Sequence, residues 1–434
     1  MSSFLKYEPE KFNSIEYRRS RIAYIGQCTF EYLITLLITD AFLAKLLTSI
    51  GISDSLIGII SSFVHFSFLF QLMSLWLINV IKSVKKTVMI FDTLSQVLYI
   101  SMYCIPFLNI DISIKIFLII AAILLAYISK YLVSSILFKW ANSYVEPHKR
   151  GGFSAVKEMI SLFCGMVFSL AVGFVIDEYE LAGNLQGGFI FIIIILSVLN
   201  IFNFISLIMI KDGEVSDKSS ELNFKELLAN TIGNKNFRSV IVLLSMWTIA
   251  TSITTGFMGT FKTNDLLLSV GIIQVINVVA NGFRILFSIP LGKFSDKRSY
   301  AKGIELAMVI AAVGFAINMF TSNKTWWFVA VYTVLYNISV AGTNANKFNI
   351  TYSYVKNDYI AQAMAIQNCI SGVLGFLAAL VGSRILDFVQ ANDNMLFGIH
   401  IYGQQLLSGI SLVIVIIAIV YDRLVVEKQK VKVQ

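Results

Sequence analysis

Apolar runs of about twenty residues, separated by short polar segments, recur along the chain and constrain its fold more than any other feature. A run of about this length crosses the hydrocarbon core of a bilayer when it is helical. The sequence therefore predicts an all-α polytopic membrane protein with twelve transmembrane helices. These spans, numbered one to twelve in chain order, lie near residues 22–48, 54–78, 87–108, 116–139, 159–177, 189–210, 239–260, 266–290, 302–321, 326–348, 363–385 and 402–421.

The composition excludes a soluble protein, since 57% of the residues are apolar and only 14% are charged. The net charge of +8 does not indicate a nucleic-acid surface, because the Lys and Arg residues lie in the gaps between spans rather than in one patch. If the amino terminus is cytoplasmic, most of the 34 Lys and Arg residues face the cytoplasm. We therefore expect a multi-pass protein of the cell membrane, surrounded by a lipid bilayer, with both termini cytoplasmic and no nucleic-acid partner.

A strongly polar segment, residues 211–230, separates span six from span seven. At an offset of 210 residues the two sides of this segment match in a loop and at paired glycines, which favours two parallel repeats. The matches include Ser143-Tyr144-Val145 with Ser353-Tyr354-Val355, Ser161 with Ser371, Gly165 with Gly375, and Asp177 with Asp387. We predict a cytoplasmic N-terminal segment at 1–21, an N-terminal six-helix bundle at 22–210, a cytoplasmic linker at 211–236, a C-terminal six-helix bundle at 237–421 and a cytoplasmic tail at 422–434.

The segment after span eight reads Gly292-Lys293-Phe294-Ser295-Asp296-Lys297-Arg298. With the six-plus-six arrangement, it resembles the loop signature of the major facilitator superfamily (MFS), and the resemblance covers essentially the whole chain. Gly51–Gly58 resembles an outer turn of that family, whereas Asn79–Thr87, the equivalent loop of the first half, keeps only the positive charge. The resemblance implies the MFS fold of two pseudo-symmetric six-helix bundles, with a central cavity lined by spans one, four, seven and ten.

Span eight carries one polar face, formed by Gln274, Asn277, Asn281, Arg284 and Ser288 at steps of three and four residues. A guanidinium at membrane depth costs about 2.5–3.5 kcal/mol on insertion scales, so this face is expected to point into the bundle and to bind solute. Just beyond it, a proline at 290 and a glycine at 292 are expected to end the helix.

The loop after span eight is expected to form a cytoplasmic gate, since parallel pseudo-symmetry would bring it beside the start of span five. Asp296 could then bond to Arg150 or Lys157, and such a contact would stabilise the outward-open state alone. The predicted gate residues are Arg150, Lys157, Gly292, Asp296 and Arg298.

Span one places Gln27, Glu31 and Thr35 at steps of four residues, with Glu31 near the middle. Burial of an unpaired carboxylate favours its protonated form, so Glu31 is a candidate proton carrier. Lys130 lies near the midpoint of span four, one turn from Tyr127, and needs an anionic partner such as Glu31 or a solute. The alternative is that Glu31 is a paired acid that only holds the bundle together.

Other polar residues in the spans have weaker functional interpretations. Thr251 in span seven and Asn337 in span ten could bind a polar solute, or could bond to neighbouring helices for about 0.6 kcal/mol each. His65 in span two is a second candidate for proton coupling, with a packing role as the alternative. We expect Asp92 to pair with a lysine of the loop before span three, and we assign Asp40 no role.

The motifs of several enzyme classes are absent: the sequence has no phosphate-binding loop, no H-E-x-x-H and no G-x-S-x-G. The four cysteines are isolated and the three histidines are widely spaced, so neither a metal site nor another cofactor is expected. We predict a monomeric secondary transporter, not an enzyme, that moves a small organic solute with a proton or another coupling ion. The alternatives are a multidrug efflux antiporter and a non-transporting sensor or assembly protein of the same fold.

Overall fold

The computed structural model describes residues 12–146, 149–212, 231–355, 359–396 and 398–429, and nearly all of the regular structure in them is helical. The first half contains α1 Ile15–Leu37, α2 Asp40–Ser49, α3 Asp54–Ser61, α4 Phe63–Val80, α5 Val84–Cys104, α6 Ile112–Asn142, α7 Arg150–Leu181 and α8 Leu185–Met209. The second half contains α9 Lys235–Thr255, α10 Met258–Thr260, α11 Val270–Lys297, α12 Tyr300–Asn318, α13 Trp327–Tyr354, α14 Ile360–Ala391 and α15 Gly403–Tyr421. A two-residue β-ladder, β1 Met395–Leu396 with β2 Ile399–His400, precedes α15.

Among the described residues, ten helices are long and apolar enough to cross a membrane by length and composition. They coincide with ten of the twelve predicted spans. The other two predicted spans correspond to α1 and α13, which are long helices of 23 and 28 residues but do not belong to the ten. Charged residues in α1 and amide and hydroxyl residues in α13 make them more polar. The polytopic all-α fold is confirmed, and the count of twelve crossings stays a prediction.

Serine and asparagine side chains begin many of these helices by accepting a bond from a backbone N–H in the first turn, which otherwise has no intrahelical partner. Ser14, Ser53, Ser83, Asn234 and Ser299 act in this way before α1, α3, α5, α9 and α12.

The end predicted for span eight is wrong, because α11 passes through Pro290 and ends at Lys297. An interior proline removes one backbone hydrogen bond, yet membrane helices tolerate it where neighbouring groups satisfy the freed carbonyl. Most of the predicted loop motif therefore continues the helix.

Spans one and seven are both interrupted near one end. Span one breaks between α1 and α2, where Asp40 adopts a left-handed backbone conformation with φ of 49°. Span seven breaks after α9 and continues through α10 into a π-helical segment, Phe261–Asp265. The prediction that span seven ends near residue 260 is therefore wrong, and Lys262 belongs to the helical segment.

The chain divides into two compact units that do not follow the predicted halves. The first comprises Met1–Ile38, Met73–Ser169 and Gln186–Lys218, and the second comprises Thr39–Leu72, Leu170–Leu185 and Ser219–Gln434. In the first unit, Tyr24, Val88 and Trp140 belong to one buried core. The larger core of the second includes Phe237, Phe261 and Phe315. The predicted domain boundaries stay predictions, and parts of the segments 1–21, 211–236 and 422–434 lie outside the described residues.

Similar contacts within each unit support the predicted repeats, which stay a prediction. In the first, the Oγ atoms of Thr29 and Ser161 lie 3.1 Å apart, and in the second those of Ser245 and Ser371 lie 3.2 Å apart. Four residues after each of the two matched serines, a glycine lets the helices approach closely. A Cβ at Gly165 would collide with Tyr32, and one at Gly375 would lie 2.8 Å from Thr248 and Ser252.

Candidate functional site

An ion pair between Glu31 and Lys130 lies among α1 and α6 of the first unit, with Nζ and Oε1 2.8 Å apart. Gln27 donates from Nε2 to the second carboxylate oxygen at 2.8 Å, and Lys130 also donates to Thr35 Oγ1 at 3.3 Å. Gln27, Glu31 and Thr35 repeat every four residues on one helical face, so Glu31 and Thr35 meet Lys130 while Gln27 bonds to Glu31. The prediction that Lys130 needs an anionic partner is confirmed.

The ion pair is not sealed from its surroundings. The side chains of Glu31 and Lys130 keep 20% and 18% of their surface exposed, whereas Gln27 is fully buried. On the other side of Lys130, Tyr127 is buried and contacts the ring of Tyr99 edge-on at 5.6 Å. A neutral pair with partial access can exchange its partner for a solute group or a proton, which a fully enclosed pair could not do.

Asp92 does not pair with a loop lysine, so that expectation is wrong. It is buried within the first unit and accepts a hydrogen bond of 2.6 Å from Asn203 of α8. Lys85, one of the expected partners, donates instead to the carbonyls of Ile208 and Ile210 at the end of α8. The lysine side chain satisfies free carbonyls at a helix end, where a positive charge is favourable.

A second ion pair, in the second unit, joins Asp40 to Lys262 at 2.7 Å. Asn277 of α11 donates to the same carboxylate at 3.1 Å, and Lys262 is only 5% exposed. Gly259 has no side chain, so its backbone can pack closely against Asp40. A Cβ there would lie 2.8 Å from the Asp40 carbonyl oxygen. Sequence analysis assigns Asp40 no role because it treats span one as a continuous helix, whereas the chain breaks at Asp40 and directs its side chain towards Lys262.

The polar face of α11 changes character along the helix. Gln274 is buried beside Gly173 of α7, and Asn277 binds Asp40, so these two positions point inward as predicted. Asn281 and Arg284 are half-buried, and the positive charge of Arg284 lies within electrostatic range of the Tyr336 hydroxyl on α13. Ser288 is exposed and donates to a carbonyl of its own helix. The binding roles of Asn277, Asn281 and Arg284 stay predictions.

The remaining predicted binding side chains bond within their own helices. Thr251 donates to the carbonyl of Trp247, and Asn337 donates to the carbonyl of Thr333. Such bonds are typical of a packing role, although they leave each side chain's other lone pairs available. The solute-binding roles of Thr251 and Asn337 stay predictions.

Sequence reasoning missed a polar chain that joins α13, α14 and α4 in the second unit. Lys347 donates to Asn368 Oδ1 at 2.7 Å, and Asn368 donates to Gln71 Oε1 at 3.4 Å. His65 lies one and a half turns before Gln71 on α4, and its Nδ1 is buried without a hydrogen-bond partner among the described residues. Sequence analysis does not single out Lys347, because it lies close to the predicted end of span ten.

The predicted gate residues divide between the two units. In the first, Arg150 is exposed and the Lys157 ammonium lies 5.0 Å from the centre of the Tyr24 ring. In the second, Asp296 and Arg298 are exposed at the end of α11, and the space around Gly292 is open. The contact expected of Asp296 stays a prediction.

Comparison with solved structures shows the same fold at low sequence identity. The chain is similar to the nucleoside transporter NupG, with a TM-score of 0.67 and 11% identity over 96% of this chain and 100% of that one. For a bacterial homologue of the iron transporter ferroportin in an inward-facing state, the TM-score is 0.69 at 11% identity, again over 96% and 100%. For a D-xylose-proton symporter it is 0.66 at 13% identity, over 93% and 96%.

Comparison with curated proteins finds no match. The family model described as Major Facilitator Superfamily, in contrast, matches residues 23–379. The match covers most of the chain, from the beginning of the first predicted span into the eleventh. Family model, fold and internal repeat agree, and the chain belongs to the major facilitator superfamily of transporters.

Proposed function

We propose that the protein is a secondary active transporter that moves a small organic solute across the cell membrane by alternating access. The observation that carries this proposal is the Glu31–Lys130 ion pair, which joins the predicted spans one and four and keeps about one fifth of each side chain exposed. Ionisable residues at membrane depth generally serve transport or proton transfer, because their insertion is costly. Similar solved structures include a nucleoside transporter and a D-xylose-proton symporter, which suggests small polar solutes as the first to test.

Glu31 is the proposed proton carrier. While Lys130 is bound at 2.8 Å, its positive charge favours the ionised carboxylate. A solute group that takes Lys130 away would leave the partly buried carboxylate without a counter-charge and so favour proton uptake. Solute and proton would then bind together, which is the coupling that a symporter needs. His65 remains a second candidate for this step.

The other assignments belong to the same proposal. We infer a monomer with both termini cytoplasmic and without enzymatic activity. The Asp296 loop would act as the cytoplasmic gate with Arg150 or Lys157. The proposed solute-binding residues are Gln27, Glu31, Tyr127, Lys130, Thr251, Asn277, Asn281, Arg284 and Asn337.

Transport by the purified protein in liposomes tests the proposal. Uptake of radiolabelled nucleosides, sugars and short peptides is measured with and without an imposed pH gradient. We expect one class to accumulate against its concentration gradient only when the pH gradient is present. Accumulation in the opposite sense would support the efflux antiporter, and no flux of any solute would support the non-transporting alternative.

The Glu31→Gln variant then tests the coupling step. It should lose accumulation driven by the pH gradient and retain solute exchange across the membrane, because exchange does not require release of the proton. Asp111→Asn is the matched control, since Asp111 is an exposed carboxylate whose side chain makes no capping bond. Unchanged accumulation in Glu31→Gln would remove Glu31 from the mechanism.

A further inference from the structure

Lys347 differs from two other lysines in the helical segments of the protein. Lys130 is bound by Glu31 and Lys262 by Asp40, so each of these charges is matched by a carboxylate. Lys347 is half-buried and donates at 2.7 Å to the neutral amide oxygen of Asn368. Within the described parts of the chain, no Asp or Glu makes an ion pair with it. Among the described residues, its ammonium is therefore bound by a neutral amide and not by a carboxylate.

Lys347 and Asn368 can both donate hydrogen bonds to a bound anion. An ammonium has three N–H groups, so two remain after the bond to Asn368. The Asn368 amide donates to Gln71 at 3.4 Å, a long hydrogen bond that another acceptor can replace at little cost. His65 is within electrostatic range of Lys347, and its buried Nδ1 has no described hydrogen-bond partner.

Close packing of α14 on α4 fixes this arrangement. Gly372, one turn after Asn368 on α14, has no room for a side chain, because a Cβ there would overlap the His65 carbonyl oxygen and lie 2.9 Å from Phe68. Glycine lets the two helix backbones approach, and this approach holds Asn368 beside Gln71. Lys347 lies seven residues before the end of α13, which is about 10 Å at 1.5 Å per residue.

We propose that Lys347 and Asn368 form a subsite for the carboxylate of a monoanionic solute. One uncompensated positive charge matches one negative charge, and the carboxylate would accept from Lys347 and from the Asn368 amide in place of Gln71. The inference rests on the proposed function, because it names the class of solute for that transporter. It places carboxylate recognition in the second unit, separately from the Glu31–Lys130 pair.

Binding of acetate to the full chain in detergent tests the subsite without requiring transport. The melting temperature is followed against acetate concentration at constant ionic strength, with acetamide as the neutral isostere and inorganic phosphate as a second anion. Acetate should stabilise the wild-type protein and Lys347→Arg, and acetamide should not. Lys347→Met should weaken the apparent affinity for acetate at least about tenfold, the effect of losing one charged hydrogen bond.

Two further variants make the result specific. Lys324→Met removes one positive charge from an exposed site of the same unit and should bind acetate as the wild type does. Asn368→Asp places a carboxylate beside Lys347, as Asp40 is placed beside Lys262, and should weaken acetate binding about as much as Lys347→Met. This second route keeps the test valid if Lys347→Met does not fold.

Equal acetate affinity in wild type and Lys347→Met, or in wild type and Asn368→Asp, would overturn the proposal. A response to acetamide equal to that of acetate would also overturn it. Stronger stabilisation by phosphate that depends on Lys347 would contradict the carboxylate assignment. If the wild type transports a solute but acetate binding does not depend on Lys347, only the subsite proposal is wrong. If acetate binding depends on Lys347 and no solute moves, only the proposed transport function fails.

Discussion

The two units repeat their helix packing but not their charges. A hydroxyl pair, Thr29 with Ser161 or Ser245 with Ser371, joins the first helix of each repeat to its fifth. Two residues after Thr29 stands Glu31, whereas two residues after Ser245 stands Trp247, which is 9% exposed in the core of the second unit. The packing surface therefore tolerates little change between repeats, while the neighbouring position can be a charged site in one repeat and core in the other.

Loss of the carboxylate would leave a lysine of different exposure in each of the two ion pairs, although the carboxylates differ in the opposite sense, with Asp40 30% and Glu31 20% exposed. Lys262 is 5% exposed and Lys130 is 18% exposed. Removing one partner of a buried ion pair leaves an uncompensated charge, and the cost falls as solvent screens that charge. The pair in the second unit should therefore be the more sensitive to substitution.

Asp40→Asn should produce the largest loss of stability, about 3 kcal/mol, because it leaves Lys262 without a counter-charge. Asparagine tolerates positive φ, so the backbone at this break should be kept and the charge effect isolated. Steric trapping in bicelles measures the free energy of unfolding. Adding Lys262→Met should recover most of the loss, because the stranded charge is then gone. A double variant as unstable as Asp40→Asn would show that the charge is not the cause.

Glu31→Gln should cost less, about 2 kcal/mol, since water and Thr35 can still solvate Lys130. The same unfolding measurement compares it directly with Asp40→Asn. Lys130→Met in the Glu31→Gln background is the control and should restore stability. A larger loss for Glu31→Gln than for Asp40→Asn would show that the exposure of the remaining lysine does not determine the cost.

Much of the fold was predictable from sequence, because span length and periodicity follow from the bilayer and from helix geometry. The sequence also predicted that Glu31 could pair with Lys130, because an unpaired lysine at membrane depth is costly. Asp40 with Lys262 could not be found in this way, since both lie beside helix interruptions that hydropathy does not report. The offset between repeats predicted that Gly165 and Gly375 occupy equivalent positions. The side chains that they contact are distant in sequence, so only the structure shows them.

Alanine substitution at the two matched glycines tests whether their helix contacts are equally tight. A Cβ at Gly165 lies 2.3 Å from the Tyr32 ring, whereas one at Gly375 lies 2.8 Å from the Ser252 hydroxyl and from the Thr248 methyl, which is the milder overlap. Overpacking costs about 1–3 kcal/mol, and the gain of about 1 kcal/mol in helix propensity offsets part of it. We expect a net loss of about 1–2 kcal/mol for Gly165→Ala and less than about 1 kcal/mol for Gly375→Ala by the same unfolding assay.

Gly282→Ala is the control for these two variants, because Gly282 lies inside α11 with open space where a Cβ would be. It should gain stability from helix propensity alone. If Gly375→Ala loses more than Gly165→Ala, the tighter contact is not in the first unit, and the equivalence of the two glycines needs revision.

The smallest expected effects concern the matched serines, Ser161 and Ser371. Hydrogen bonds between membrane helices contribute about 0.6 kcal/mol on average, so Ser161→Ala and Ser371→Ala should each cost about that much. The loss at Ser161 should be the smaller one, because Thr29 also donates to the Ile25 carbonyl at 2.9 Å and keeps that bond. Double-mutant cycles with Thr29→Val and Ser245→Ala isolate the two pair energies. Coupling in only one of the two cycles would show that the repeats share a geometry without sharing its energetic role.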